Sequence, residues 1–189
     1  MTKHSFYTPA RLLLLLFFLC SGYSYIGAQP REAVKKSTDV LMFATPAAGF
    51  VTSLLLKDYE GTKQLVLGAA TSVAASYLLK YTVKKERPDG SDRHAFPSNH
   101  TAMSFQGAAF IQRRYGWKYG IPAYLLSGYV AWGRVYAKRH DGWDVLAGAA
   151  IGIGSGYLFT RPFAKKHHLT LSPAVFDGDR WGIYASLTF

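Results

Sequence analysis

Three short stretches of this chain hold residue types suited to phosphoryl chemistry. The first, Phe96-Pro-Ser-Asn-His-Thr-Ala-Met, reads as a helix start: Pro97 interrupts the preceding element, and Ser98 and Asn99 are capping residue types. The backbone N–H groups of Ser98 to Thr101 would then point out of the new helix, and such a terminus binds anions. Upstream, Lys80 and Arg87 stand seven residues apart, which on one helix running to Pro88 places both cations on one face about two turns apart. Downstream, in Gly133-Arg-Val-Tyr-Ala-Lys-Arg-His-Asp-Gly-Trp-Asp, Arg134 offers a planar fork suited to two phosphate oxygens. His140 and Asp144 are four residues apart, so the carboxylate can hold one imidazole N–H and turn the other nitrogen outward. Anion-binding amides, three cations and an oriented imidazole are the equipment for attack on phosphorus.

In chain order the stretches read Lys-x6-Arg-Pro, Pro-Ser-Asn-His and Arg-x5-His-x3-Asp. This resembles the type 2 phosphatidic acid phosphatase (PAP2) family, which also includes vanadium haloperoxidases and bacterial non-specific acid phosphatases. The resemblance spans residues 80–144 directly. It implies that His140 attacks phosphorus to give a phosphohistidine, that Asp144 orients it, and that His100 protonates the leaving oxygen. It also implies that Lys80, Arg87, Ser98, Asn99 and Arg134 bind the phosphate and that no metal or other cofactor is needed. His94 competes for the acid role, but the motif favours His100. Two positions depart from the family pattern: Asn99 stands where Gly is usual, and Gly133 where Ser is common. Asn tolerates unusual backbone angles, so the amide cradle still forms, while Gly133 removes one hydrogen bond. Each motif alone is ordinary, a surface cation, a helix start or a His/Asp pair; their joint order and spacing selects the phosphate site.

The elements that must position these residues follow from the apolar pattern. Five helix-like stretches, at 40–56, 64–83, 98–112, 118–136 and 143–160, follow a polar linker, Gln29 to Thr38. The first two motifs flank one loop and the third follows two further helices, so all three meet at one end of an up-and-down bundle. The expected fold is mainly α: five core helices of the PAP2 type plus an N-terminal signal or anchor helix, with a short C-terminal β-hairpin. Residues 1–28 place Lys3 and Arg11 ahead of the apolar run Leu12 to Leu19 and finish at Ile26-Gly27-Ala28, the outline of a signal peptide or an uncleaved anchor. Residues 29–168 form the phosphatase domain. In 169–189, Trp181, Ile183, Ala185, Leu187 and Phe189 alternate after Asp177-Gly178, a hairpin pattern. The chain's one cysteine, Cys20, leaves with the signal if that is removed, and no disulfide is then available.

With 189 residues and 49% apolar content, one domain has a real core. The net charge of +11 comes without a nucleic-acid motif, which assigns it to a phosphorylated substrate and the membrane surface. The uncharged helix cores run about 15–17 residues, roughly 24 Å, against a hydrocarbon layer of about 30 Å. The mean hydropathy is a modest +0.03. Placement is therefore expected at the bacterial cell envelope, membrane-associated or integral to the inner membrane with the site facing the periplasm, or alternatively soluble in the periplasm. The expected activity is metal-independent hydrolysis of a phosphate monoester or diphosphate of a lipid. Alternatives are a soluble broad-specificity acid phosphatase, a vanadate haloperoxidase, and a silent module that binds anionic lipid.

Overall fold

A computed structural model describes residues 30–163, 168–176 and 180–188. The signal or anchor expected at 1–28 and the turn at Asp177-Gly178 lie outside the described residues.

The segment 29–38, read above as a polar linker, is instead mostly helix. Helix α1 (Pro30–Leu41) opens with Pro30, whose fixed φ suits a first helical position, and Glu32 sits in its first turn. Its polar composition hides a face: Val34 and Thr38 turn inward, Thr38 fully buried, while Arg31 and Lys36 stay exposed. Met42-Phe43 separates α1 from α2 (Ala44–Leu55). Helix α3 (Tyr59–Val83) is capped by Asp58, whose carboxylate accepts from Gly61 N at 2.9 Å. It stops at Lys84, in a left-handed conformation at φ 47° and ψ 43°. Arg87 thus lies in the following loop, and no shared helix face joins it to Lys80, contrary to the spacing argument.

Ser98 caps α4 (Asn99–Tyr115), Gly116 separates it from α5 (Trp117–Tyr136), and Asp141 caps α6 (Gly142–Phe159). Asp141 and Asp144 form a reciprocal capping box, each side chain accepting from the other's backbone N–H. Strands β1 (His168–Phe176) and β2 (Arg180–Thr188) pair antiparallel, His168 opposite Thr188, as the alternation in the tail predicts.

Helix α4 is the centre of the bundle and packs against α2, α3, α5 and α6. Its contact with α6 is close because Gly152 has no side chain: a Cβ there would stand 2.2 Å from the Ala102 carbonyl oxygen. The interior is small and partly polar. Thr45 Oγ1 donates to Ser104 O at 2.7 Å, and Ser104 Oγ donates to Ser127 Oγ at 2.8 Å, beside a cluster of Leu65, Ala108, Phe110, Ile111 and Ala123. The apolar bulk faces outward instead: Leu55, Leu78, Leu125, Leu146 and Leu158 are between 61% and 74% exposed.

At the bundle end away from the motifs, Arg114 Nε donates to Asp58 Oδ2 at 2.7 Å and its Nη2 to Oδ1. Tyr115 OH donates to the same Oδ2 at 3.0 Å, and Arg114 Nη1 donates to Arg161 O at 2.9 Å. This buried pair joins the α2–α3 turn, the end of α4 and the chain after α6.

Candidate active site

All eight sequence-selected residues reach the opposite end of the bundle, and four connections hold six of them there. Lys80 Nζ, on the last turn of α3, donates to His94 O at 2.7 Å and to Pro97 O at 3.0 Å. These bonds fix the loop just before the α4 start, and an ammonium with three protons keeps one for an anion. Ser98 N donates to Asp144 O at 3.0 Å, tying that start to α6. Ser98 Oγ accepts from Thr101 Oγ1 at 3.1 Å, which leaves its own proton to give. The third connection is between His140 Nδ1 and Ala95 O, 2.8 Å apart. The fourth runs from α1, where Asp39 Oδ1 lies 2.9 Å from His100 Nε2 and accepts from Arg134 Nη1 at 2.6 Å.

The imidazole of His140 is held by the backbone rather than by a bond to Asp144. A carbonyl can only accept, so Nδ1 carries the proton and Nε2 keeps its lone pair. Asp144 Oδ2 is 3.6 Å from Nδ1, too far for a good hydrogen bond, and acts on the ring by its charge. Its oxygens are engaged elsewhere: Oδ1 accepts from Lys85 Nζ at 2.8 Å, and Oδ2 from Asp141 N at 3.0 Å. Lys85 also donates to Asp141 Oδ2 at 2.5 Å. Hydrogen bonding by Lys85 lowers the pKa of Asp141. Burial alone would lower that of Lys85, but its bonds to Asp141 and Asp144 raise it. Burial lowers the pKa of His140, and the charges of Arg134 and Arg87 act in the same sense against the pull of Asp144. The tautomer and the lowered pKa both favour a neutral ring with a free lone pair on Nε2.

Among the described residues, the buried polar atoms without a partner include two from the selected set, Arg134 Nε and Asn99 Oδ1. An unpaired buried guanidinium N–H is costly, and an anion at the site would satisfy it. Arg87 contacts Asp92 through Nε at 2.9 Å. His94 packs its ring edge-on against Tyr81, with centroids 5.4 Å apart.

Four residues of the site escape the sequence reading: Asp39, Lys85, Ala95 and Asp141. Only Asp141 had a local signature, the Asp-x-x-Asp spacing of a capping box. Ala95 acts through its backbone, which no side-chain pattern shows.

The PAP2 superfamily matches this chain across residues 61–168. A lipid A 4'-phosphatase of Helicobacter pylori is 32% identical, covering 77% of this chain and 80% of that protein. A lipid A 1-phosphatase of Porphyromonas gingivalis is 37% identical over 82 residues, 42% of this chain but only 18% of that protein. Among solved structures, LpxE of Aquifex aeolicus shares the fold with a TM-score of 0.51 at 24% identity, covering 77% of this chain and 92% of that one. With the matched segment spanning α3 to α6 and all three motifs, the chain belongs to the PAP2 superfamily.

Proposed function

We infer that this protein is a lipid phosphatase of the PAP2 type, a phosphoric ester hydrolase working through a phosphohistidine. The observation that carries the reading is His140 with its Nδ1 bound to Ala95 O, at the same bundle end as Lys80, Arg87, Arg134 and the amides of α4. In the first step the Nε2 lone pair attacks phosphorus, the bond from phosphorus to the leaving oxygen breaks, and His100 gives that oxygen a proton. In the second, water attacks phosphorus, His100 takes its proton, and the P–N bond breaks to restore His140. Lys80, Arg87, Ser98, Asn99 through its amide, and Arg134 would bind the equatorial oxygens throughout.

Two features favour a lipid over a soluble ester. A groove of about 170 Å³, lined by Met42, Phe43, Val73, Tyr77 and Met103, reaches Asn99 at the cradle. Among the outward-facing leucines stand exposed aromatics in two groups, Tyr77, Tyr81, Trp132, Tyr136 and Trp143 towards the site and Tyr59, Trp117, Tyr119 and Tyr157 towards the far end. Aromatic residues at both ends of an apolar band seat a protein in a bilayer. Residues 30–55, with a break at Met42-Phe43, are long and apolar enough to cross one. The names of the two bacterial relatives put the phosphates of lipid A first among substrates. We place the site in the periplasm and the far end, with Lys57, Lys63, Arg113, Lys118 and Arg161, in the cytoplasm; the site end is basic too, but there Lys85 pairs with Asp141 and Asp144, Arg87 with Asp92 and Arg139 with Asp89.

The test is phosphate release from lipid A, phosphatidic acid, phosphatidylglycerophosphate, undecaprenyl diphosphate and an aryl phosphate, with His140→Ala as control. Turnover of a lipid phosphate that His140→Ala abolishes is expected. Activity on the aryl ester alone would favour the soluble acid phosphatase, and full activity in His140→Ala would rule out the phosphohistidine. Labelling of Ser91→Cys in intact cells by an impermeant thiol reagent tests the orientation.

A further inference from the structure

Helix α1 lies wholly before the matched segment and contributes a carboxylate that no motif predicts. Asp39 Oδ1 is shared between His100 Nε2 at 2.9 Å and Arg134 Nη1 at 2.6 Å. Gly133 makes this approach possible, since a Cβ there would stand 2.5 Å from Thr38 Cγ2 and 3.1 Å from Val34 Cγ1. The departure at Gly133 and the acid at position 39 are thus two halves of one arrangement: the first removes a side chain from α5, and the second fills the space beside Arg134.

A carboxylate accepts, so His100 is bound through Nε2–H and its free nitrogen is Nδ1. We propose that Asp39 is a positioning residue for the reaction: it fixes the ring so that Nδ1 exchanges protons with the leaving oxygen and then with water, and it supplies the negative charge that makes the imidazolium accessible. The groups acting on this ring come from three elements. Burial, Arg134 on α5 and His140 in the α5–α6 loop oppose a second proton and hold the pKa down to about 4, while Asp39 on α1 is the group that pulls it back up. In the forward step the Nδ1–H bond breaks, the proton passes to the leaving oxygen, and His100 becomes neutral with Nε2–H still on Asp39. In the return step the Nδ1 lone pair takes the proton of the attacking water. Asp39 takes no proton at either stage. The same carboxylate occupies Arg134 Nη1, which leaves the buried Nε for phosphate.

This role rests on the phosphatase reading, and the leaving group separates it from a structural one. An aryl oxide departs without a proton, whereas the alkoxide of a lipid needs one. Asp39→Asn is expected to lower kcat on the lipid phosphate by about a hundredfold and on an aryl phosphate far less. KM should stay within about threefold, and Asp39→Glu should recover part of the loss. Equal losses on both substrates, or a lower KM at unchanged kcat because Asp39 merely fills the phosphate seat, would overturn it. A second measurement does not need turnover. Nitrogen-15 NMR of histidine-labelled full-length protein in detergent, assigned against His100→Gln, should show His100 as the Nε2–H tautomer with a protonation midpoint that falls in Asp39→Asn. Unchanged titration of His100 in that variant would sink the proposal. Absence of hydrolysis in the wild type would instead count against the phosphatase reading.

Discussion

The carbonyl oxygen of Ala95 lies 2.8 Å from Nδ1 of His140, so a backbone group in the loop before α4 sets the tautomer of the imidazole in the loop before α6. Burial, with Arg134 and Arg87, lowers the pKa of that imidazole from its ordinary 6.5. The neutral ring attacks, so a lowered value extends activity towards acid pH. The limb of the kcat/KM profile on which rate falls as pH falls should have its midpoint below 6.5. A midpoint above that value would show that the buried cations do not act on His140 as argued.

Asn99 Oδ1 is buried without a partner, and the side chain lines the apolar groove. If the cradle uses only the amide of this residue, Asn99→Gly removes an unsatisfied oxygen and should keep or raise turnover. Steady-state kinetics of Asn99→Gly and Asn99→Ala decide the matter. A loss of about tenfold or more in both, with folding unchanged, would make the side chain a substrate contact.

Gly133→Ser restores the residue common in the family, yet it should harm this protein. The new Cβ meets Thr38 and Val34, so α1 must shift and carry Asp39 away from Arg134. A drop in kcat of about tenfold or more is expected, larger for lipid than for aryl phosphate. Wild-type kinetics in this variant would show that α1 yields without disturbing the site.

Lys80, Arg87 and Arg134 place three cationic donors near the cradle, two of them shared with Asp92 and Asp39, and supply the N–H groups that a phosphate needs. Exhaustive chelation with EDTA should leave turnover unchanged, and orthovanadate should inhibit. Activity that requires added Mg²⁺ after chelation would point to another mechanism. Halide oxidation by the vanadate-loaded protein with peroxide would revive the haloperoxidase alternative.

Breaking the pair at the far end tests stability apart from catalysis. Asp58 and Arg114 side chains are only 3% and 8% exposed. Arg114→Met leaves a buried carboxylate without its cation and should cost about 3–5 kcal/mol. Asp58→Leu combined with Arg114→Met should recover most of that loss. Thermal unfolding in detergent reads both, and additive losses would mean that the two residues act separately.

The three motifs, their meeting at one bundle end and the five core helices α2 to α6 were legible because each depends on local spacing or on chain parity. Helix α1 was not, because two inward residues, Val34 and Thr38, are too few to impose a period on a polar segment. Asp39 was invisible for a related reason: its partners lie 61 and 95 residues away, and no local pattern encodes such a contact. The pairing of Lys80 with Arg87 failed differently. Helical spacing was read through Lys84, whose left-handed backbone ends the helix.

The bare backbone of α6 at Gly152 has a practical consequence for recombining this chain with its relatives. Surfaces that approach as closely as Ala102 and Gly152 were shaped as a pair, and Ser98 and Asp144 hang from the two sides of that joint. Residues 98–159 are therefore one cassette, to be inherited whole. A crossover within α5 would unite α4 from one parent with α6 from another, and the mismatch would appear as a misplaced nucleophile before it appeared as an unfolded protein.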